Sequence, residues 1–443
     1  MPATRRELLT ALAASGSAWT APSNKPPNVV LIISDDHGWT DYGFLGHKHV
    51  RTPNIDRIAR EGLTLTRGYV PASLCRPSLA SMMTGLYPHQ HRITGNDPPG
   101  DPKDAENRAR MVRIFQQSGT IAALLGKAGY VSHQSGKWWE GECKCGGFDE
   151  CMTHGDVARG GRHGDEGLKI GRETMQPVVD FIDRTKADGK PFFVWYAPFL
   201  PHTPHTPPER LLRRFETLDL PPKVATYYAN IGWLDETVGQ LLDHLDRNGL
   251  TENTLVVYLA DNGWIQGADA LPYQNRAKLS PYDAGVRTPI LLRWPGRIKP
   301  ERDDSSLASS VDLATTILPV CGVKPPAAMP GLDLTRKAAL RKRDAVYGSI
   351  FTHNSIDIER PERNLKYRWI VEGRHKLIAP HAPNQARPIW ETVGALRWAK
   401  DSIELFDIVS DPAETRDLAS AQPQVVKRLL AKLDGWWTPP PTG

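Results

Sequence analysis

Three continuous apolar runs stand out along the chain. Residues 28–34 (Asn-Val-Val-Leu-Ile-Ile-Ser), 191–196 (Pro-Phe-Phe-Val-Trp-Tyr) and 255–260 (Leu-Val-Val-Tyr-Leu-Ala) show no polar alternation. That is the pattern of strands buried on both faces of a parallel sheet. Between them, apolar positions recur at helical spacing over 53–61, 75–84, 108–128 and 172–188. The spacing is clearest over 223–248, through Val224, Tyr227, Ile231, Leu234, Val238, Leu241 and Leu245, closed by Asn248-Gly249. Pro53 and Pro77 lie near helix starts, and Gly62 and Gly85 follow helix ends. A short strand is expected at 130–133. Residues 142–165, rich in Gly, Cys and His, and the Pro/His segment 198–208 read as loops.

Strands alternating with helices predict right-handed βαβ units. The expected fold class is α/β: a large mixed, mostly parallel sheet sandwiched by helices. After about residue 330 the pattern changes to short alternating strands at 345–351, 367–371, 375–379 and 403–408, then a helix at 423–435. This predicts a smaller C-terminal antiparallel α+β domain. The expected division is 1–22, 23–330 and 331–443. The first piece, with Arg5-Arg6 before an Ala-rich stretch to Ala21, resembles a twin-arginine export signal. The competing reading is a frayed helix. Export implies work in the periplasm or outside the cell.

Composition narrows the class without naming a function. The 443 residues are 40% hydrophobic and 24% charged, ordinary globular usage that excludes a fully disordered chain. A net charge of +5 permits an anionic substrate without demanding one. No Lys/Arg block marks a nucleic-acid arm, and no apolar run approaches the ~20 residues of a membrane span. Five cysteines are too sparse for a disulfide scaffold. Among Cys143, Cys145 and Cys151, a loop disulfide between Cys151 and one of the others competes with free thiols and with a soft-metal site.

The candidate chemistry sits at strand ends. Asp35-Asp36 terminates the first apolar run and Asp261-Asn262 the third. Sites in open parallel sheets form outside the carboxyl ends of strands. Carboxylates with an amide oxygen are hard ligands, suited to Ca²⁺ or Mg²⁺. The plain alternative is that each Asp caps its turn. Cys75 precedes Arg76-Pro77 at a helix start, where the helix dipole lowers a thiol pKa and favours a nucleophile or an anion. A buried structural cysteine is the alternative.

Most of the chain, about 28 to 420, resembles the formylglycine-dependent (type I) sulfatase family of the alkaline-phosphatase-like superfamily. The resemblance is carried by 28–36, Thr52-Pro53-Asn54-Ile55-Asp56, Cys75-Arg76-Pro77-Ser78, Thr84-Gly85, Gly136-Lys137-Trp138 and Pro201-His202-Thr203-Pro204. It continues through Asp261-Asn262-Gly263, Gly285-Val286-Arg287-Thr288-Pro289, and the tail segments 404–408 and 411–414. It implies an alkaline-phosphatase-like fold and hydrolysis of sulfate esters, on a sulfated small molecule or glycan. It implies that a maturase oxidises Cys75 to formylglycine, whose hydrate attacks sulfur. Asp35, Asp36, Cys75, Asp261 and Asn262 would hold one Ca²⁺. Lys137 and Lys278 would neutralise sulfate oxygens, and His202 would serve the leaving oxygen. Arg76 and His205 join Lys137, His202 and Lys278 as candidate substrate contacts. A phosphate or phosphonate ester hydrolase and a catalytically silent binder of sulfated glycans are the alternatives. The sequence leaves the oligomeric state open.

Two departures stand out. The family's motif arginine is Leu79 here, and the usual histidine after Gly-Lys-Trp is Trp139. His89, His91, His133, His163, Arg76 and Arg92 are the candidates to substitute. The stretch Gly160-Gly161-Arg162-His163-Gly164-Asp165 reads as a substrate-facing loop or as a plain flexible one.

Overall fold

A computed structural model describes residues 25–268, 272–381 and 400–441. The expected export segment lies outside the described residues. In chain order the strands begin with β1 (Asn28–Ser34), β2 (Leu63–Leu65), β3 (Gly68–Tyr69), β4 (Val131–Gly136) and β5 (Glu150–Cys151). There follow β6 (Phe192–Ala197), β7 (Thr254–Ala260), β8 (Ile290–Arg293), β9 (Glu301–Asp303) and β10 (Ala308–Ser309). The last four are β11 (Ala345–Phe351), β12 (Leu365–Glu372), β13 (His375–Pro380) and β14 (Glu404–Asp407).

Eight strands form the main sheet in the order β5-β4-β6-β1-β7-β8-β2-β9. The three apolar runs become β1, β6 and β7, side by side at its centre and parallel. All seven residues of β1 are buried. Its side chains alternate between two cores, as a pleated strand requires. Val29, Leu31 and Ile33 face one core. Val30 and Ile32 face the other, against Ile55, Phe181, Leu234 and Leu241 from three flanking helices. Burying each such side chain contributes roughly 1.5–3 kcal/mol, so continuous apolar runs can belong only at this central position. β8 pairs antiparallel with both β7 and β2, which makes the sheet mixed.

The structure breaks one expected helix. Residues 108–128 are two helices, Ala105–Gln117 and Ile121–Lys127. Gly119 between them has φ +72°, a left-handed turn, and the Thr120 side chain accepts the Ala123 N–H to start the second helix. A second sheet, β11-β12-β13-β14, is antiparallel throughout. The helix Pro423–Trp436 covers one face with Leu429 and Leu433. The other face, through Trp369 and Ile378, joins the first core. Cys151 pairs with Cys143, with Cα atoms 6.0 Å apart, and Cys145 keeps a free thiol.

Candidate active site

The central strands converge at their carboxyl ends. Asp35 follows β1, and its N–H donates to the Leu200 carbonyl beyond β6. Asp36 takes a positive φ of 56° and its N–H donates to Asp261 Oδ1 at 3.1 Å, beyond β7. Lys137 leaves the end of β4. Asp35, Asp36, Lys137, Asp261 and Asn262 are therefore placed by strand ends, whereas Cys75, Lys278 and His202 are not.

Cys75 opens the helix Cys75–Thr84, in which every residue is buried. The Arg76 N–H donates to Asn96 Oδ1 at 3.0 Å, satisfying one of the helix's free donors. Lys278 lies on the segment before Asp283–Val286. That segment is pinned beside the cysteine where the Leu279 N–H donates to the Ser73 carbonyl at 2.8 Å. Arg276 and Leu279 both take positive φ there, so turn geometry rather than periodicity aims the lysine.

The side chains form one buried basin. Lys278 Nζ lies 3.0 Å from Cys75 Sγ and 2.7 and 2.9 Å from the two oxygens of Asp36. Lys137 Nζ donates to Asp35 Oδ2 at 2.6 Å and stands 3.6 Å from Asp261 Oδ2. Cys75 Sγ lies 3.5 Å from Asn262 Oδ1 and 4.0 Å from Asp35 Oδ1. His202 Nε2 is 3.3 Å from Asp36 Oδ2, with its ring 21% exposed. Asp35, Asp36 and Cys75 each bring one ligand atom within 4.8 Å of the others. Asp261 Oδ2 is buried without a hydrogen-bond partner. Buried carboxylate oxygens with spare acceptor capacity fit a hard divalent cation.

Electrostatics follow from burial and proximity. Burial and the neighbouring Asp35 charge push Asp261 above the carboxylate range. Burial raises Asp35 as well, but Lys137, His202 and Lys278 outweigh it and hold that carboxyl low. Both lysines resist their own burial and stay charged, through Asp35 for Lys137 and Asp36 for Lys278. The sequence reading expects a lowered thiol at the helix start. In the structure burial wins over Lys137 and Lys278, and the Cys75 thiol is pushed up to about 12. An unmodified thiolate nucleophile is therefore disfavoured near neutral pH.

The remaining candidates separate. Burial lowers His205 to about 4; its ring lies 5.6 Å from that of Tyr227, on the rim beyond Asp36. Arg76 turns away from the basin. Its guanidinium makes a bidentate pair with Glu140 at 2.7 and 2.6 Å and is 1% exposed, so it is bound to protein and not presented to substrate. Leu79 packs in the core. His91 is buried against Ser81, His133 stacks on Phe181, His89 stacks on Trp437, and Arg92 pairs with Glu359. Of these substitutes, His163 reaches the basin wall. Its ring lies 5.1 Å from Trp139 and 5.2 Å from Phe199, whose own ring touches His202 at 4.2 Å. Sequence reasoning missed Phe199, Asn96 and Asp97; no local motif marks them.

Comparison with known proteins gives a consistent result. The family described as Sulfatase matches residues 27–323, and the one described as N-sulphoglucosamine sulphohydrolase, C-terminal, matches 276–392. N-acetylgalactosamine-6-sulfatase of Canis lupus familiaris is 31% identical over 373 residues, covering 75% of this chain and 69% of that protein. Arylsulfatase A of Homo sapiens is 28% identical, covering 96% and 89%. Among solved structures, Ps i-CgsB in complex with k-i-k-neocarrahexaose superimposes with a TM-score of 0.73 at 23% identity, covering 93% of each chain. That likeness extends to the alkaline-phosphatase-like fold of both sheets.

Proposed function

The chain belongs to the sulfatase family of sulfuric ester hydrolases, and from that premise we propose that it removes sulfate from a sulfated carbohydrate. Cys75, converted to formylglycine by a maturase, is the nucleophile in this reading, and the carboxylate basin holds one Ca²⁺. The observation that carries it is Cys75 Sγ lying 3.0 Å from Lys278 Nζ and 3.5 Å from Asn262 Oδ1, inside a cluster with a surplus of carboxylate. Carbohydrate enters through two similarities: a sulfatase named for N-acetylgalactosamine-6-sulfate and a fold neighbour bound to an oligosaccharide. Export to the periplasm or beyond is part of the same reading. Among the described residues no helix is long and apolar enough to cross a membrane.

Each residue then has a task. Asp35, Asp36, Asp261 and Asn262 would ligate the cation, which when bound stabilises negative charge on the transferring group. Hydrated formylglycine would supply a hydroxyl nucleophile where the buried thiol is protonated. Lys137 and Lys278 present fixed positive charge to sulfate oxygens, already oriented by Asp35 and Asp36. His202 stands within reach of the leaving oxygen, with its Nδ1 anchored 2.7 Å from the Thr203 carbonyl, leaving Nε2 to move the proton.

The test is peptide mass spectrometry of protein from its native host, with paired turnover of nitrophenyl sulfate and nitrophenyl phosphate. The tryptic peptide Gly68–Arg92 stays whole because Pro77 blocks cleavage after Arg76. The expected result is an aldehyde at position 75 and a strong preference for sulfate. Cys75→Ala should lower kcat/KM by roughly 10³-fold or more. An intact thiol in every molecule, or preference for phosphate, overturns the reading.

A further inference from the structure

The stretch 160–165 carries more order than a flexible loop would. Asp165 folds it back: its Oδ2 accepts the His154 N–H at 2.8 Å and the Gly155 N–H at 2.6 Å. A Cβ at Gly161 would stand 2.2 Å from Asp165 Oδ1, so the glycine permits this close turn. The result is a fixed position for Arg162.

That arginine is locked in place by a buried carboxylate. Its Nε donates to Asp97 Oδ1 at 2.8 Å and its Nη2 donates to Asp97 Oδ2. The Asp97 side chain is 1% exposed. Arg108, 8% exposed, approaches the same carboxylate at 3.4 Å and donates to the Arg162 carbonyl at 2.9 Å. Two guanidinium groups thus share one carboxylate, leaving a positive charge in excess. The Arg162 side chain is 36% exposed, and its Nη1 has no hydrogen-bond partner among the described residues.

The path from Arg162 to the chemistry is continuous. Its guanidinium lies 5.0 Å over Trp139, which touches His163, then Phe199, then His202. Lys137 Nζ lies 5.0 Å over the same Phe199 ring. On the other side, Asn96 precedes Asp97 and holds the first turn of the cysteine's helix. Its N–H donates to the His353 carbonyl at 2.8 Å, which ties this wall to the segment after β11.

We infer that Arg162 is a specificity-determining residue: it binds a second anionic group, carboxylate or sulfate, on the sugar chain whose sulfate ester lies at Cys75. This rests on the sulfated-carbohydrate reading above. A guanidinium locked by one edge presents its other donors in a fixed plane, suited to an oxyanion. Lysine at this position would keep the charge and lose the fork.

The experiment is calorimetric titration of the purified protein and Arg162→Gln with three sulfated disaccharides: one monosulfated, one with an added uronate carboxylate, one with a second sulfate. Turnover of nitrophenyl sulfate is measured alongside. The native protein should prefer one or both dianionic sugars by ten-fold or more, and which one identifies the group. Arg162→Gln should erase that preference while moving the monosulfated sugar and nitrophenyl sulfate turnover less than three-fold. Arg162→Lys should recover only part of it. Equal affinity for all three sugars, no binding of any, or an equal loss on all substrates in the variant overturns the inference. Failure of nitrophenyl sulfate turnover in the native protein instead strikes the sulfatase mechanism, and the titrations still decide the role of Arg162.

Discussion

Two buried charge clusters invite comparison. The basin holds Asp35, Asp36 and Asp261 against Lys137 and Lys278. The second lies where the two sheets meet, with Asp283 and Glu414 against Lys376 and Arg287. There Lys376 Nζ sits 2.8 Å from Asp283 Oδ1 and 3.3 Å from Glu414 Oε1, and Glu414 Oε2 accepts the Asp283 N–H at 2.6 Å. It sets two carboxyls against two cations within ion-pair distance. The basin sets three carboxyls against two lysines, and Asp261 absorbs the shortfall by holding its proton, pushed above the carboxylate range. A cluster that closes on itself ties elements together, whereas a buried deficit is a place for something the chain does not supply.

The largest effect should come from breaking the balanced cluster. Lys376→Met leaves two buried carboxylates with only Arg287 at ion-pair distance among the described residues, and the loss should be about 3–5 kcal/mol in chemical denaturation. Lys137→Met in Ca²⁺ should lower stability much less, because the cation replaces the lost charge. Equal losses would erase the distinction between the clusters.

Next is the deficit itself. Thermal unfolding in excess chelator and in Ca²⁺ at roughly 100 times its Kd should differ by about 2.7 kcal/mol. Asp261→Asn should shrink that difference and leave the chelated protein no less stable. Coincident melting curves for native protein would mean the basin takes no ion.

The smallest effect per unit of change concerns the layer beneath the Cys75–Thr84 helix. His91 Nδ1 accepts the Ile93 N–H at 3.1 Å, so Nε2 carries the proton and donates to Ser81 at 2.9 Å. Burial lowers this imidazole to about 3. The unfolded chain, with its ordinary value of 6.5, takes up a proton first as pH falls. Stability should therefore be complete above pH 6.5 and decline below it, by at most about 1.4 kcal/mol per pH unit from this group. His37, His163, His89 and His133 are lowered by burial as well, so His91→Asn should make the decline between pH 6 and 4 shallower without abolishing it; an unchanged slope would assign the acid sensitivity to the others.

What the sequence discloses follows from the range of each interaction. The central strands are legible because burial on both faces leaves continuous apolar runs, and Asp35, Asp36, Asp261 and Asn262 because they terminate them. The outlying strands β2, β5, β8 and β9 are two to four residues long, too short for any periodicity. Lys278 lies 242 residues from the Asp36 it touches, and only the chain's resemblance to the family singles it out. Arg76 looks available beside Cys75, but its bidentate partner Glu140 is 64 residues away. Likewise Asp97, on an unremarkable loop, decides what Arg162 can do. Local pattern reports what a segment needs buried, not which distant side chain will arrive.

The burial of Cys75 finally sets a deadline. The residue is 1% exposed, closed over by segments that follow it in the chain by 62, 187 and 203 residues, at Lys137, Asn262 and Lys278. A catalyst of protein size has no approach to it once those segments are in place. Any enzymatic change at Cys75 must happen while the chain is still open, between synthesis of the first helices and arrival of the last lysine. Maturation and folding compete for the same interval, and a sequence that folds too soon would seal in an inert thiol.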